Sequence, residues 1–112
     1  MMQSLKRANI VVRKSPIHGF GVFALEDISP GQIIEECYTL LVSNQWFEAF
    51  ADYYFNSNST EYCALPLGYG CIYNHDKHPN ASYTCVDNLM TYTATDFIRK
   101  GDEILVSYGE QY

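Results

Sequence analysis

The chain has 112 residues, 47% of them hydrophobic and 18% charged, a composition that fits one folded domain with little spare burial and excludes a disordered chain. Its net charge of -6 disfavours direct contact with the phosphates of DNA or RNA and favours a basic partner such as a Lys-rich peptide. The start, Met1 to Arg7, has no apolar core and the chain has no transmembrane run, so the expectation is a soluble intracellular protein without a signal peptide.

The elements follow in chain order. Asn9 to Lys14 is rich in β-branched residues and predicts a strand. Ser15-Pro16 ends it, and His18-Gly19-Phe20-Gly21 makes a two-glycine loop before a second strand over Val22–Leu25. Asp27-Ile28-Ser29-Pro30-Gly31 has turn chemistry, and Gln32 to Val42 predicts a third, longer strand. Trp46, Phe47, Phe50 and Tyr54 recur at three- and four-residue steps, which predicts a helix over 46–54 with Asn44 as its cap. Tyr62 to Leu67 reads as a short strand and Asn74 to Asn80 as a polar loop. Ala81–Val86 and Met90–Ala94 predict a hairpin around Asp87-Asn88. A turn over 98–103 leads to a last strand, Ile104 to Tyr108. The sum is a mostly β domain with one helix, and the ten tyrosines suit both a β-rich fold and a pocket lined by rings with polar tips.

Three segments carry groups capable of chemistry. Gly19-Phe20-Gly21 could bring backbone N–H and C=O groups close to a ligand, or could be a plain turn. Asn74-His75-Asp76-Lys77-His78-Pro79-Asn80 follows an aromatic run, so its first residues are expected to be partly buried and to need partners, either backbone or a polar cofactor. Gly101-Asp102-Glu103 through Tyr108-Gly109 reads, taken alone, as an edge strand ending in a tyrosine. The four cysteines, Cys37, Cys63, Cys71 and Cys85, form no CxxC pair and are expected to be reduced thiols. Cys71, Cys85, His75 and His78 offer zinc-ligand types, but their spacing matches no standard zinc pattern, and no metal is expected.

Taken together, the three segments resemble the SET domain of protein lysine methyltransferases. His18-Gly19-Phe20-Gly21-Val22-Phe23-Ala24 looks like its first motif, Asn74-His75 through Pro79-Asn80 its second, and Glu103-Ile104 through Tyr108-Gly109 its third. The similarity runs from about Val11 to Tyr112, and is nearest to the minimal stand-alone SET proteins of algal large DNA viruses and of some bacteria. The resemblance implies one SET domain over residues 1–112, with small curved sheets and a C-terminal pseudoknot that brings Asn74-His75 against Tyr108. It implies methyl transfer from S-adenosylmethionine to a lysine ε-amine of a basic protein, a histone tail foremost; a SET-like binding module without activity is the alternative. Gly19, Phe20 and Gly21 would hold the methionine part of the cofactor through the backbone, and Asn74 and His75 its amino and adenine groups. Tyr108 would orient amine and methyl, Tyr112 would pack near the adenine, and Tyr83 would belong to the lysine channel.

There are departures from the family pattern. Many members have Glu-Tyr in the third strand where this chain has Glu36-Cys37, and Tyr53 on the expected helix either supplies the missing ring or is a helix residue facing solvent or core. Val106, two residues before Tyr108, stands where members often carry Phe or Tyr, and leaves room for di- or trimethylation. Minimal members form homodimers, so the resemblance extends to a dimer. A viral or secreted member would work in a host nucleus, and any other in the cytoplasm.

Overall fold

The computed structural model describes residues 4–43, 55–56 and 62–108. Those residues form nine strands and no α-helix. They are β1 (Ile10–Lys14), β2 (Phe20–Ala24), β3 (Ile33–Ser43), β4 (Phe55–Asn56), β5 (Tyr62–Pro66), β6 (Asn74–His75), β7 (Ala81–Val86), β8 (Leu89–Ala94) and β9 (Glu103–Val106). The helix expected over 46–54 lies outside the described residues.

Two sheets result. One has the order β1-β2-β9-β6 and the other β4-β5-β3-β8-β7. β3 is long because it serves two neighbours in turn: its first half pairs with β8 from Ile33↔Thr93 to Tyr38↔Leu89, and its second with β5 from Thr39↔Pro66 to Ser43↔Tyr62. β7 and β8 form the expected hairpin, closed at Val86↔Leu89 by Asp87-Asn88. Asp87 takes φ 54, a conformation that its short polar side chain tolerates. Along β8, Met90, Tyr92 and Ala94 turn inward while their neighbours are half-exposed, the period-two pattern of a strand with one buried face.

The core joins both sheets through Val22, Ile34, Met90, Tyr92, Ile104 and Val106, with Ile28 and Ile98 closing one end. Each such side chain contributes about 1.5–3 kcal/mol by leaving water. Ile28 and Ile98 belong to segments that read as turns from their polar neighbours. They instead form an isolated antiparallel bridge, each N–H reaching the other's carbonyl at 2.8 and 2.9 Å.

The sequence reading misplaces two boundaries. Phe20 and Gly21 belong to β2 rather than to a loop, because β1 offers them partners at Lys14 and Arg13. Asn74 and His75, read as loop, form β6 in parallel with Leu105 and Val106 of β9. Such pairing depends on bringing together segments 31 residues apart in sequence, which local periodicity does not encode. Asn80 completes the junction: its amide donates to the Glu103 carbonyl at 2.9 Å and its Oδ1 accepts from Leu105 N–H at 2.8 Å. One side chain thus takes the place of a strand neighbour along β9.

Candidate functional site

β9 lies between β2 and β6, so the first, second and third sequence segments meet along one strand. Asn74 is the knot. It is buried, and its Nδ2 donates to the carbonyls of His18 (3.0 Å) and Phe20 (3.2 Å) and to Oε2 of Glu103 (2.7 Å). Three acceptors around one amide nitrogen fix the amide's orientation. Ser15 donates its hydroxyl to the other Glu103 oxygen at 2.8 Å, so Glu103 and Asn74 together hold both ends of the 15–20 turn.

Gly21 is required by this arrangement. A Cβ there would come within 2.9 Å of the Glu103 carboxyl carbon and 3.0 Å of Asn74 Nδ2. Gly19 takes φ 49, with no atom of the described residues within 4 Å of where a Cβ would stand, and the Phe20 ring beside it is 60% exposed.

Tyr108 follows β9 directly. Its hydroxyl donates to the Tyr73 carbonyl, and its backbone N–H donates to His75 Nδ1 at 2.9 Å. The two rings lie with centroids 5.3 Å apart. Because Nδ1 accepts, the neutral imidazole carries its proton on Nε2. Through Nδ1, His75 thus supports the Tyr108 backbone.

The remaining candidates are placed as follows. Val106 is fully buried in β9, opposite His75 in register. Tyr83 is half-buried on β7, with its ring 5.9 Å from that of Tyr92, and burial raises its phenol pKa. Tyr92 in turn stacks on Tyr73 at 4.3 Å, so a file of rings runs from Tyr83 to the residue whose carbonyl anchors Tyr108. Cys37 is buried, and burial, aided by the nearby Glu35 carboxylate, pushes its thiol up to about 12. Tyr53 and Tyr112 lie outside the described residues.

Glu35, Tyr73 and Glu103, whose groups hold these contacts, are not singled out by the sequence. Glu103 was within reach, because it stands in the third segment. Glu35 carried a signal too: it is a charged residue inside an apolar strand run, Ile33-Ile34-Glu35, on a face that proves buried. A cavity of about 360 Å³ is lined by Arg7, Glu35, Cys37, Tyr38 and Leu67 among others, and by none of Phe20, His75 and Tyr108. Among the described residues, no group of three His, Cys, Asp or Glu could hold a metal ion. None of them forms a helix long and apolar enough to cross a membrane.

Comparison with known proteins agrees with this geometry. Residues 19–109 match the SET domain family. A histone-lysine N-methyltransferase of Schizosaccharomyces pombe, specific for H3 lysine 37, is 31% identical over 111 residues, covering 93% of this chain and 76% of its own. The crystal structure of a candidate histone methyltransferase of Plasmodium falciparum superposes with a TM-score of 0.81 at 38% identity, over 94% of this chain and 96% of that one. A chain of the ctPRC2 complex, solved with H3K27me3 and H3K27M, superposes with a TM-score of 0.83 at 21% identity, over 96% of this chain and 15% of that one, and shares the fold.

Proposed function

The chain belongs to the SET-domain family of protein-lysine methyltransferases, and on that premise we propose that it transfers methyl groups from S-adenosylmethionine to a lysine of a histone. One observation carries the proposal: the Tyr108 hydroxyl is held by the Tyr73 carbonyl at the point where Asn74-His75 meets the Phe20 turn.

The residues present fit the cofactor. The exposed Phe20 ring offers an apolar face, and the backbone at Gly19, clear of the other described residues, leaves room for a ligand. Asn74 serves that turn through Nδ2, whose bonds to the His18 and Phe20 carbonyls shape the turn that would hold the methionine portion. When bound, S-adenosylmethionine supplies an electrophilic methyl group on a positively charged sulfur. Tyr108 then acts on geometry. A phenol whose proton is directed at a carbonyl turns its oxygen lone pairs outward, where they can accept from the substrate amine. That hydrogen bond places the amine nitrogen in line with the methyl carbon and fixes its approach. The Tyr108 ring, 5.3 Å from that of His75, offers an apolar wall, and desolvation against it would lower the pKa of a lysine and favour its neutral, nucleophilic form. The proton leaves to water before transfer.

Three considerations support a histone as substrate. The net charge of -6 favours a basic tail, the Schizosaccharomyces pombe relative acts on histone H3, and the Plasmodium falciparum relative is a candidate for the same class of reaction. A histone substrate in turn implies a protein that works where chromatin is. We further propose that residues 1–112 act as one SET domain, that Val106 leaves room for di- or trimethylation, and that Tyr53 and Tyr112 complete the lysine and adenine sides of the site.

Incubation with labelled S-adenosylmethionine and histone octamers tests the proposal. Label on a histone lysine supports it. Cofactor binding without transfer to any histone points instead to the inactive binding module.

A further inference from the structure

Glu35 is a charged group in an expensive place. It is 1% exposed on β3, where a leucine would be the cheap choice, since replacing a buried ion pair by packed apolar residues is often neutral or stabilising. Its carboxylate is nevertheless fully partnered. Oε2 accepts from Arg7 Nε (3.1 Å), Arg7 Nη2 (2.9 Å) and the Tyr69 backbone N–H (3.1 Å), and Oε1 accepts from the Tyr73 hydroxyl (2.7 Å).

The surrounding chain is shaped to reach it. Arg7 pairs with Glu35 as an isolated antiparallel bridge, and its guanidinium lies 4.1 Å over the Tyr69 ring. Gly68 takes φ 68, and a Cβ there would lie 2.5 Å from Glu35 Oε2 and 3.1 Å from Arg7 Nη2. Two independent features, a special backbone and a bridging N-terminal segment, are thus committed to one carboxylate.

The far end of the network is the candidate centre. Tyr73 is fully buried, with its hydroxyl fixed by Glu35 and its ring stacked on Tyr92 at 4.3 Å. A side chain held at ring and tip leaves its own main chain little freedom. The Tyr73 carbonyl is the group that accepts the Tyr108 hydroxyl. We propose that Glu35 and Arg7 are positioning residues for methyl transfer, acting through Tyr73 to hold the Tyr108 hydroxyl where the amine must meet it. This rests on the transferase reading above and adds to it a function for a carboxylate outside all three sequence motifs.

The test uses Y73F, which keeps the stacked ring and removes the tip, together with E35Q and E35L. Rates are expressed per cofactor-binding site counted by calorimetry, so that misfolded protein does not count as slow protein. Misplacing a reacting group by about 1 Å costs about a hundredfold, so a loosened anchor is expected to lower kcat about tenfold in Y73F and E35L, with KM for cofactor and histone kept within about twofold. E35Q retains an acceptor for the Tyr73 hydroxyl and is expected to recover part of that loss. Wild-type kcat in Y73F and E35L with Y108F inactive would overturn this inference alone. Full transfer by Y108F would overturn the role given to Tyr108 and this inference with it, and no transfer by the wild type would overturn the transferase reading as well. Should Y73F and E35L not fold, R7Q alters the half-exposed end of the network and carries the expectation of an about threefold lower kcat; an unchanged kcat there overturns the inference equally.

Discussion

Asn74 provides the most quantitative test of how the site is held together. N74A removes one donor from three acceptors. Two neutral hydrogen bonds at about 1 kcal/mol each and one to a carboxylate at about 1.5–3 kcal/mol give an expected loss of about 3.5–5 kcal/mol. N74D keeps the shape and reverses the chemistry: a carboxylate would then face Glu103 and two carbonyls. Like charges about 4 Å apart repel by about 4 kcal/mol at an effective dielectric of about 20, the value suited to a partly exposed pair. For a domain whose whole stability is about 5–15 kcal/mol, N74D is marginal at neutral pH. Its pH dependence is diagnostic. The introduced carboxyl has its folded pKa raised by its neighbours above its unfolded value of about 3.9. Its contribution is therefore fully present below about pH 4 and is lost as pH rises toward the folded pKa, by about 1.4 kcal/mol for each pH unit that separates the folded from the unfolded value. Urea denaturation followed by circular dichroism should show the gap between wild type and N74D widening from pH 4 to pH 7. Wild-type stability of N74D at pH 7, or a gap that ignores pH, would refute the proposed geometry around Nδ2.

The same contacts set further expectations. G21A drives a methyl group against Glu103 and Asn74 and should cost about 1–3 kcal/mol by overpacking, read as a lower urea midpoint, together with weaker S-adenosylmethionine binding by calorimetry. Cys37 and Cys71 have ordinary thiol pKa values of 9.0 that the fold pushes up to about 12 and about 11, so stability should be intact below pH 9 and fall as pH climbs from there toward 12. The phenols of Tyr73 and Tyr92, raised by burial, add to the same alkaline loss, which denaturation midpoints across that range would measure. The Cys37 thiol should resist a thiol reagent at pH 8 until the protein unfolds, and fast labelling of native protein at that position would contradict its burial. With saturating cofactor, mass spectrometry should find histone product carried beyond one methyl group, because Val106 is smaller than the Phe or Tyr common in the family; monomethyl product alone would remove that role from Val106.

Much of the fold can be read from the sequence because its strands are written locally. β1, the β7–β8 hairpin and the extent of β3 follow from β-branched runs, period two and Asp87-Asn88. β6 is not legible in this way because two residues carry no periodicity, and their pairing with β9 is made by long-range chain threading. The Ile28–Ile98 bridge is hidden for the same reason, two apolar residues among turn formers. At the site, order and spacing point to Tyr108, His75, Asn74 and the Phe20 turn, and the structure brings them together. What sequence cannot supply is the division of labour. The amide of Asn74 and Nδ1 of His75 are spent on the protein itself, and Tyr73, one aromatic among many by sequence, offers the carbonyl on which Tyr108 depends.

The proposed function rests on Tyr108, anchored by Tyr73, directing methyl transfer to a histone lysine. The most direct measurement of that role compares wild type with Y108F, using labelled S-adenosylmethionine and histone octamers, with cofactor affinity determined alongside. Removing the hydroxyl should lower transfer by at least about a hundredfold while the cofactor still binds. Equal transfer by the two proteins would contradict the account.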